Sequence, residues 1–465
     1  VRHVLVVSHF FPPMGGGGVQ RVTKMVKYLE ECGWRATVVC GRPEDYWMRD
    51  DTLVADVPAS ARVVRVGGAS GLGVLRRVGG RGGRGGRGRR AAGTAGATAA
   101  ATVAPAARRS ARLFAVLRRA TAWTLVPDSY VGWRAFARRA ALETLRADPA
   151  DAILSSSPPE TNHLVGLDLH HATGLPWLVD FRDPWFALHL HPAPTAWHRA
   201  RHAALERRVL RTAAACTVTT TWLRDLVRRQ AGAGAGLLAR LHVIRNGFDP
   251  ADFAAAGAPA PMAPPAPLTL LHTGMLTLTR SAAGLLHGLQ HLHAQQPATR
   301  GRIHVTFLGA RESDNDAQIA KLGLGDCVRM RDYVPHADAI AAMRAADVLL
   351  LIKHTAPRFT GLIPGKLYEY MGADRPILAL VPPSEAADLV RGLDWGEVAP
   401  PDDATAIAAA LAKLLAHHDA GTLGQAYARR SRERFDRRTQ AHDLAALLAQ
   451  ITTAPAPATS REART

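Results

Sequence analysis

Short apolar runs alternate with helically spaced apolar positions along most of the chain. HVLVVSHFF near the start is dense enough in Val and Leu for a buried strand. Val19, Val22, Val26 and Leu29 then recur at helical spacing, with Gly33 placed as a C-cap. ATVVC closes a strand–loop–helix–strand unit of the kind that builds parallel sheets. The rhythm continues through strand ARVVRV, helix DSYVGWRAFARRAALETLRA, strand DAILSSS, helix HLVGLDLHHAT, strand PWLVDFRDPW, helix AWHRARHAALERRVLRTA and strand CTVTT. LHVIRNGFDPADF leads out of this half, with Asn246 and Gly247 marking a turn, and AAAGAPAPMAPPAP reads as a linker. The second half repeats the pattern with strands LTLLHTG, IHVTFLG, VRMRDYV, VLLLI and PILALV, separated by helices in SAAGLLHGLQHLHA, DAQIAKLG, HADAIAAMRAA and KLYEYMG. This predicts an α/β chain with two parallel-sheet domains, residues 1–255 and 265–430. A helix over 431–451 and a disordered tail over 452–465 follow.

Length and composition agree with this division. A chain of 465 residues is too long for one compact core, and 47% hydrophobic content is that of a globular protein. No run approaches the ~18 apolar residues that a membrane span requires. The N-terminal apolar run stops in a Pro/Gly loop, so no signal peptide is expected. Cys32, Cys40, Cys216 and Cys327 are scattered without metal-ligand spacing and read as reduced thiols of a cytoplasmic protein.

The net charge of +19 changes meaning once it is located. Fourteen arginines, no lysine and no acidic residue lie between Val57 and Pro127, leaving +5 for the other 394 residues. The low-complexity stretch Gly67 to Ala107 within it cannot bury enough surface to pack. Arg/Gly nucleic-acid tethers interleave aromatics for base stacking, and this run has none, so nucleic acid is not the expected partner. A flexible insertion between a strand and a helix is one reading. Peripheral contact with an anionic membrane is the other, which a basic amphipathic helix in RRSARLFAVLRRATAWTLV would support.

Candidate chemistry sits where strands end. Gly15 to Gly18 occupy a strand-to-helix switch, where bare backbone can approach a ligand. This is not the dinucleotide fingerprint, because Gln20 stands where its third glycine belongs. Asp180, Arg182 and Asp183 lie at the C-terminal end of a strand, the edge at which open α/β sheets bind ligands. The same residues would equally build a structural salt-bridge knot. His189 and His191 point apart if extended and have no third ligand nearby, so no metal is expected. In FTGLIPGKLYEYMGADRPILALV a Pro-Gly turn opens a short helix with Lys366 and Glu369 on one face. A helix start offers free N–H groups to an anion, a lysine can pair with phosphate, and a carboxylate one turn in can accept from two ribose hydroxyls. An ordinary βα turn with a surface Lys–Glu pair is the plainer alternative.

Six motifs in order then carry a resemblance: FPPMGGGGVQR, SSPPE, DFRDPW, NGFD, HTG…R and PGKLYEYMG. The chain resembles the family-4 retaining glycosyltransferases of the GT-B fold, over nearly its whole length apart from the Arg/Gly segment. The resemblance implies two Rossmann-like domains facing across a cleft. The first is on the acceptor side and carries the 67–107 insertion. The second binds a nucleotide-sugar donor, and the last helix packs back on the first. Glu369 matches a glutamate that binds the ribose. Arg280 falls at a diphosphate-binding lysine, with Gly365 and Lys366 beside it. Tyr333, Val334 and Pro335 match the loop that holds the base. Gly16, Gly17 and Gly18 match the loop under the diphosphate and acceptor. Arg182 falls where many relatives place a histidine beside the transferred sugar, and Arg182, Asp183 and Arg280 are the expected catalytic groups.

The chain departs from the family at two places. Gly361 replaces the first glutamate of a Glu-x7-Glu pattern, and Met275 replaces an arginine after the phosphate-loop glycine. Lys353, Arg358 or Lys366 are candidates to compensate. The implied activity is hexosyl-type transfer with retention from a nucleoside-diphosphate sugar to an acceptor hydroxyl, without cofactor or obligatory metal. The acceptor is a glycan, a lipid-linked sugar or a small molecule, in cell-envelope polysaccharide, glycolipid or natural-product glycosylation. A cytoplasmic enzyme, peripheral at the inner membrane face, fits this reading. An epimerase or hydrolase on the same scaffold is one alternative. A catalytically degenerate GT-B protein that binds an acidic polymer or membrane through its Arg/Gly arm is the other.

Overall fold

The computed structural model describes residues 1–46, 48–68, 123–185, 193–231, 235–257, 262, 266–276, 280–310, 315–353 and 361–453. Most of the Arg/Gly segment, all but the end of the basic helix expected after it, His189, His191, Arg358 and nearly all of the expected tail lie outside these residues. The chain divides into two compact units. One takes the described residues up to Ile244 and those from Gln440 onward, and the other runs from Arg245 to Thr439. The first unit therefore ends at Ile244 and not at residue 255. Phe248 and Phe253 are the physical reason, since both are buried in the core of the second unit.

The first unit is built on seven strands: β1 (Arg2–Val7), β2 (Trp34–Gly41), β3 (Arg62–Val66), β4 (Ala152–Ser157), β5 (Trp177–Phe181), β6 (Ala215–Val218) and β7 (Leu241–Val243). They form one parallel sheet in the order β3-β2-β1-β4-β5-β6-β7. The apolar run of β1 reflects cover on both faces. Leu5 and Val7 pack with Trp133, Ala137 and Val165, while Val4 and Val6 pack with Val22, Met25, Val26, Leu444 and Leu448. Val22, Met25 and Val26 belong to the helix Gly17–Leu29, which ends in a 3-10 turn and then Gly33 at φ +77°. β7 and the helix Thr221–Ala231 are additions to the sequence reading.

The second unit has six parallel strands: β8 (Leu268–Thr273), β9 (Ile303–Leu308), β10 (Val328–Arg331), β11 (Val348–Ile352), β12 (Ile377–Leu380) and β13 (Gly396–Ala399). Their order is β10-β9-β8-β11-β12-β13. Val348, Leu350 and Ile352 face one core and Leu349 and Leu351 the other, so this sheet too is buried on both sides. In both sheets the strand order reverses beside the first strand, between β1 and β4 and between β8 and β11. Loops leaving the C-terminal ends there splay apart and leave a ligand crevice. Among the described residues no helix is long and apolar enough to cross a membrane.

Candidate functional site

In the second unit, β8 ends at Gly274, whose φ is +130° and whose N–H donates to Leu308 O at 2.9 Å. Gly309 follows β9 so closely that an added Cβ would lie 2.3 Å from Gly274 O. Two bare backbones thus close the strand ends and leave room above them. The helix Gly365–Ala373 starts directly after Pro364 with no side chain capping it, so its first turn presents N–H groups. Lys366 Nζ donates to Glu369 Oε2 at 2.6 Å, one turn apart on one helix face. Burial opposes the Lys366 ammonium, but the Glu369 carboxylate hydrogen-bonded to it, with Tyr370 and Tyr333 nearby, raises its pKa above the ordinary lysine value.

The position a Gly274 Cβ would occupy is 3.8 Å from Lys366 Cε and 3.9 Å from His272 Nε2. Arg280, returning from the loop after β8, acts electrostatically on the same histidine and is lowered in pKa by its own burial. Lys353 follows β11 directly, where the strand order reverses. Burial brings its pKa down to about 8 against the pull of Glu385. Val334 packs against the core beside Tyr333, which is 76% exposed, and Pro335 starts the helix His336–Ala345. The charge of Glu369 also reaches His336, whose pKa is raised chiefly by its hydrogen bond to Asp252. The unit therefore gathers Gly274, Arg280, Gly365, Lys366, Glu369 and the Tyr333–Pro335 loop at one sheet edge. That edge is rich in cations and has a carboxylate beside them.

In the first unit the glycine loop is pinned from the side. Gly15 N–H donates to Met48 O at 3.1 Å and Asp50 N–H to Pro13 O at 2.8 Å. Gly16, at φ +99°, turns the chain into the helix that begins at Gly17. An added Cβ on Gly18 would lie 3.2 Å from Arg182 Nη1, so the glycine admits the guanidinium against the helix start. Arg182 donates from Nε to Ser157 O at 2.8 Å and from Nη2 to Pro158 O at 2.9 Å, which ties the SSPPE turn to the glycine loop. Asp183 beside it is half-buried, and burial raises its pKa.

Asp180 belongs to a different arrangement. Its fully buried carboxylate accepts from Arg21 Nη2 at 2.8 Å and Nε at 3.1 Å, Thr217 Oγ1 at 2.7 Å and Ser156 Oγ at 2.8 Å. This is a structural ion pair, but not a knot of Asp180 with Arg182 and Asp183, because Arg182 donates to Ser157 O and Pro158 O instead. The sequence reading missed its partner Arg21, which lies within a quoted motif but 159 positions away. It also missed Glu160 of SSPPE and Asp128. Asp128 accepts from Thr161 N–H and Oγ1 and from Tyr130 N–H, each at 2.8 Å. Burial first, and then the charges of Asp128 and Asp183, push Glu160 well above the usual carboxylate range, so it carries a proton near neutral pH.

Two family models match the chain: the glycosyl transferase 4-like domain over residues 16–247 and glycosyl transferases group 1 over residues 267–417. The chain belongs to the 4-like, group 1 glycosyltransferases. Solved structures agree in fold. A sucrose-phosphate synthase of Thermosynechococcus elongatus matches with TM-score 0.58 and 17% identity, covering 97% of this chain and 99% of that one. Anabaena HepE in complex with UDP matches at 0.57 and 16%, covering 97% and 100%. WaaG, a glycosyltransferase involved in lipopolysaccharide biosynthesis, matches at 0.55 and 14%, covering 95% and 99%. No curated protein matches the sequence. The fold of this glycosyltransferase is GT-B, with parallel sheets of seven and six strands. Its two family models divide the chain nearly where the two compact units divide.

Proposed function

We propose that this glycosyltransferase transfers a sugar, with retention, from a nucleoside-diphosphate sugar held by its second unit to an acceptor hydroxyl. The observation that carries the reading is the Lys366–Glu369 pair on the first turn of an uncapped helix, with Gly274 and Arg280 beside it. A diphosphate fits the cations and free N–H groups, and a ribose diol fits the carboxylate. Tyr333, Val334 and Pro335 hold the base at the exposed end of the same edge. HepE, a relative of the same fold, binds UDP and supports this class of donor.

Chemistry follows from charge. Departure of the nucleoside diphosphate builds negative charge on its terminal phosphate and positive charge at the anomeric carbon. Arg280, Lys366 and the N–H groups of the helix start are preorganised for the former, without an obligatory metal. Retention rests on the family resemblance, in which the acceptor attacks from the leaving-group side and the departing phosphate takes its proton. In the first unit, Gly16 to Gly18 serve the diphosphate and the acceptor, and Arg182 and Asp183 serve the transferred sugar. The acceptor class is a glycan, lipid-linked sugar or small hydroxyl compound, with peripheral contact to an anionic membrane through the basic segment.

The test is a thermal-shift panel of UDP, GDP, dTDP and common nucleotide sugars on wild type and Glu369→Ala. A ligand that binds only the native state raises Tm by mass action. One nucleotide should shift the wild type and lose most of that shift in the variant. A panel without any shift in the wild type refutes the donor reading.

A further inference from the structure

His272 is the second residue from the end of the strand that leads into Gly274, and its ring is 2% exposed. Its Nδ1 lies 2.9 Å from Leu350 O of the neighbouring strand. A carbonyl only accepts, so Nδ1 carries the proton and Nε2 of the neutral ring is a bare lone pair. Nε2 is buried and has no hydrogen-bond partner. It points to the position beside Gly274 that Lys366 Cε also approaches. An orphaned buried ring nitrogen is costly in a folded chain, and aimed at an anion-binding edge it marks a contact made with ligand.

We propose that His272 is a titrating phosphate ligand: on binding of a nucleoside diphosphate, Nε2 takes one proton from solvent and donates a hydrogen bond to an oxygen of the terminal phosphate. The inference rests on the donor reading above and adds a residue and a proton to it. The groups that face the ring set its titration. Arg280 from the loop after β8 and Lys366 from the helix Gly365–Ala373 are the cations that act on it, and Lys353 follows β11. Glu369 is committed to Lys366, Tyr370 Oη accepts from Thr273 N–H, and the Phe307 ring of β9 packs at 5.9 Å. Burial and the two cations hold the free imidazole at a pKa of about 4, so it enters the complex neutral at physiological pH. A diphosphate reverses the sign of that field. The Lys366 side chain is 33% exposed, and its Cε approaches the same position beside Gly274 as Nε2 does, so a phosphate held there would meet both groups.

Calorimetry on the full chain tests this with the diphosphate that gives the thermal shift. Titrations at pH 8 in buffers of different ionisation enthalpy count the protons taken up per ligand. At that pH a terminal phosphate is already ionised, its own pKa being about 6. Wild type should take up close to one proton more than His272→Gln, whose amide donates from the Nε2 position without titrating. Raising the pH from 7.5 to 8.5 should weaken wild-type binding by up to about tenfold relative to that variant. His272→Asn, which reaches only the Nδ1 position, should bind about tenfold more weakly than His272→Gln. Equal proton counts in wild type and His272→Gln, with wild-type binding intact, overturn this inference and leave the donor reading standing. If instead no diphosphate binds the wild type, the donor reading itself falls. The wild-type proton count needs no variant to fold, and a count of zero at pH 8 is refuting on its own.

Discussion

Asp180→Asn should destabilise the first unit by about 3–5 kcal/mol, the range for breaking a buried ion pair on one side. Arg21 is 1% exposed and Asp180 fully buried, so the substitution strands a buried guanidinium. It also turns an amide N–H₂ toward groups that donate: Arg21 Nη2, Arg21 Nε, Ser156 Oγ and Thr217 Oγ1 all bond the carboxylate. The 2.9 Å bond from Arg21 Nη2 to Ile244 O does not involve the carboxylate and survives unchanged. The pH window follows from the same contacts. Burial alone would raise Asp180, but the Arg21 charge and these hydrogen bonds bring its folded pKa down to about 2, below the ordinary value near 3.9. Its contribution is therefore complete above about pH 4 and is lost as pH falls through about 2, so the deficit should be constant from pH 5 to 8.

Urea unfolding followed by tryptophan fluorescence reads the first unit, because eight of the nine tryptophans lie at or before Trp222. With an m-value of about 3 kcal/mol/M the midpoint of that transition should fall by about 1–1.7 M. Replacing both partners together, Arg21→Met with Asp180→Leu, should recover much of the loss, since no charge is then left unpaired. A midpoint shift below about 0.3 M, or a deficit that grows steadily between pH 5 and 8, would refute the argument.

Two further outcomes bear on the site. Gly18→Ala places a methyl group 3.2 Å from Arg182 Nη1, and the displaced guanidinium should lower kcat about 10- to 100-fold, more than it weakens nucleotide affinity; steady-state kinetics beside calorimetry separates the two. Lys366→Met should weaken nucleoside-diphosphate binding about 10- to 100-fold and leave an uncharged nucleoside unaffected, whereas Glu369→Ala should weaken both ligands; calorimetric Kd values for the pair of ligands decide.

Legibility in the sequence followed the range of the interaction. Runs such as VLLLI and PILALV needed only neighbours to read as buried parallel strands, and Lys366 with Glu369 is a one-turn relation that helical spacing gives directly. Long-range pairings were invisible. Nothing in the pattern joins Arg21 to Asp180, 159 positions away, so Asp180 stayed open between a ligand-edge carboxylate and a structural knot. The strand Leu241–Val243 is three residues long and carries too little pattern to separate it from the turn that follows. The domain boundary was drawn at the Ala/Pro linker, where composition changes, but Phe248 and Phe253 had already entered the second core. His272 read only as the flank of a glycine. Its meaning depends on the Leu350 carbonyl, 78 positions away, that fixes which nitrogen is bare.

The helix Arg437–Thr453 gives the chain an order of manufacture. Leu444, Ala445 and Leu448 complete the core that begins with Val4 and Val6, so the first unit is closed by residues made after the whole second unit. A ribosome that has delivered residues 1–244 has produced a sheet with Val22, Met25 and Val26 packed but part of its cover still unmade. The whole second unit must be synthesised before that apolar surface is sealed. Cutting the gene at the linker would thus yield two fragments of unequal fitness: a second unit with its sheet intact, and a first unit missing one wall of its core.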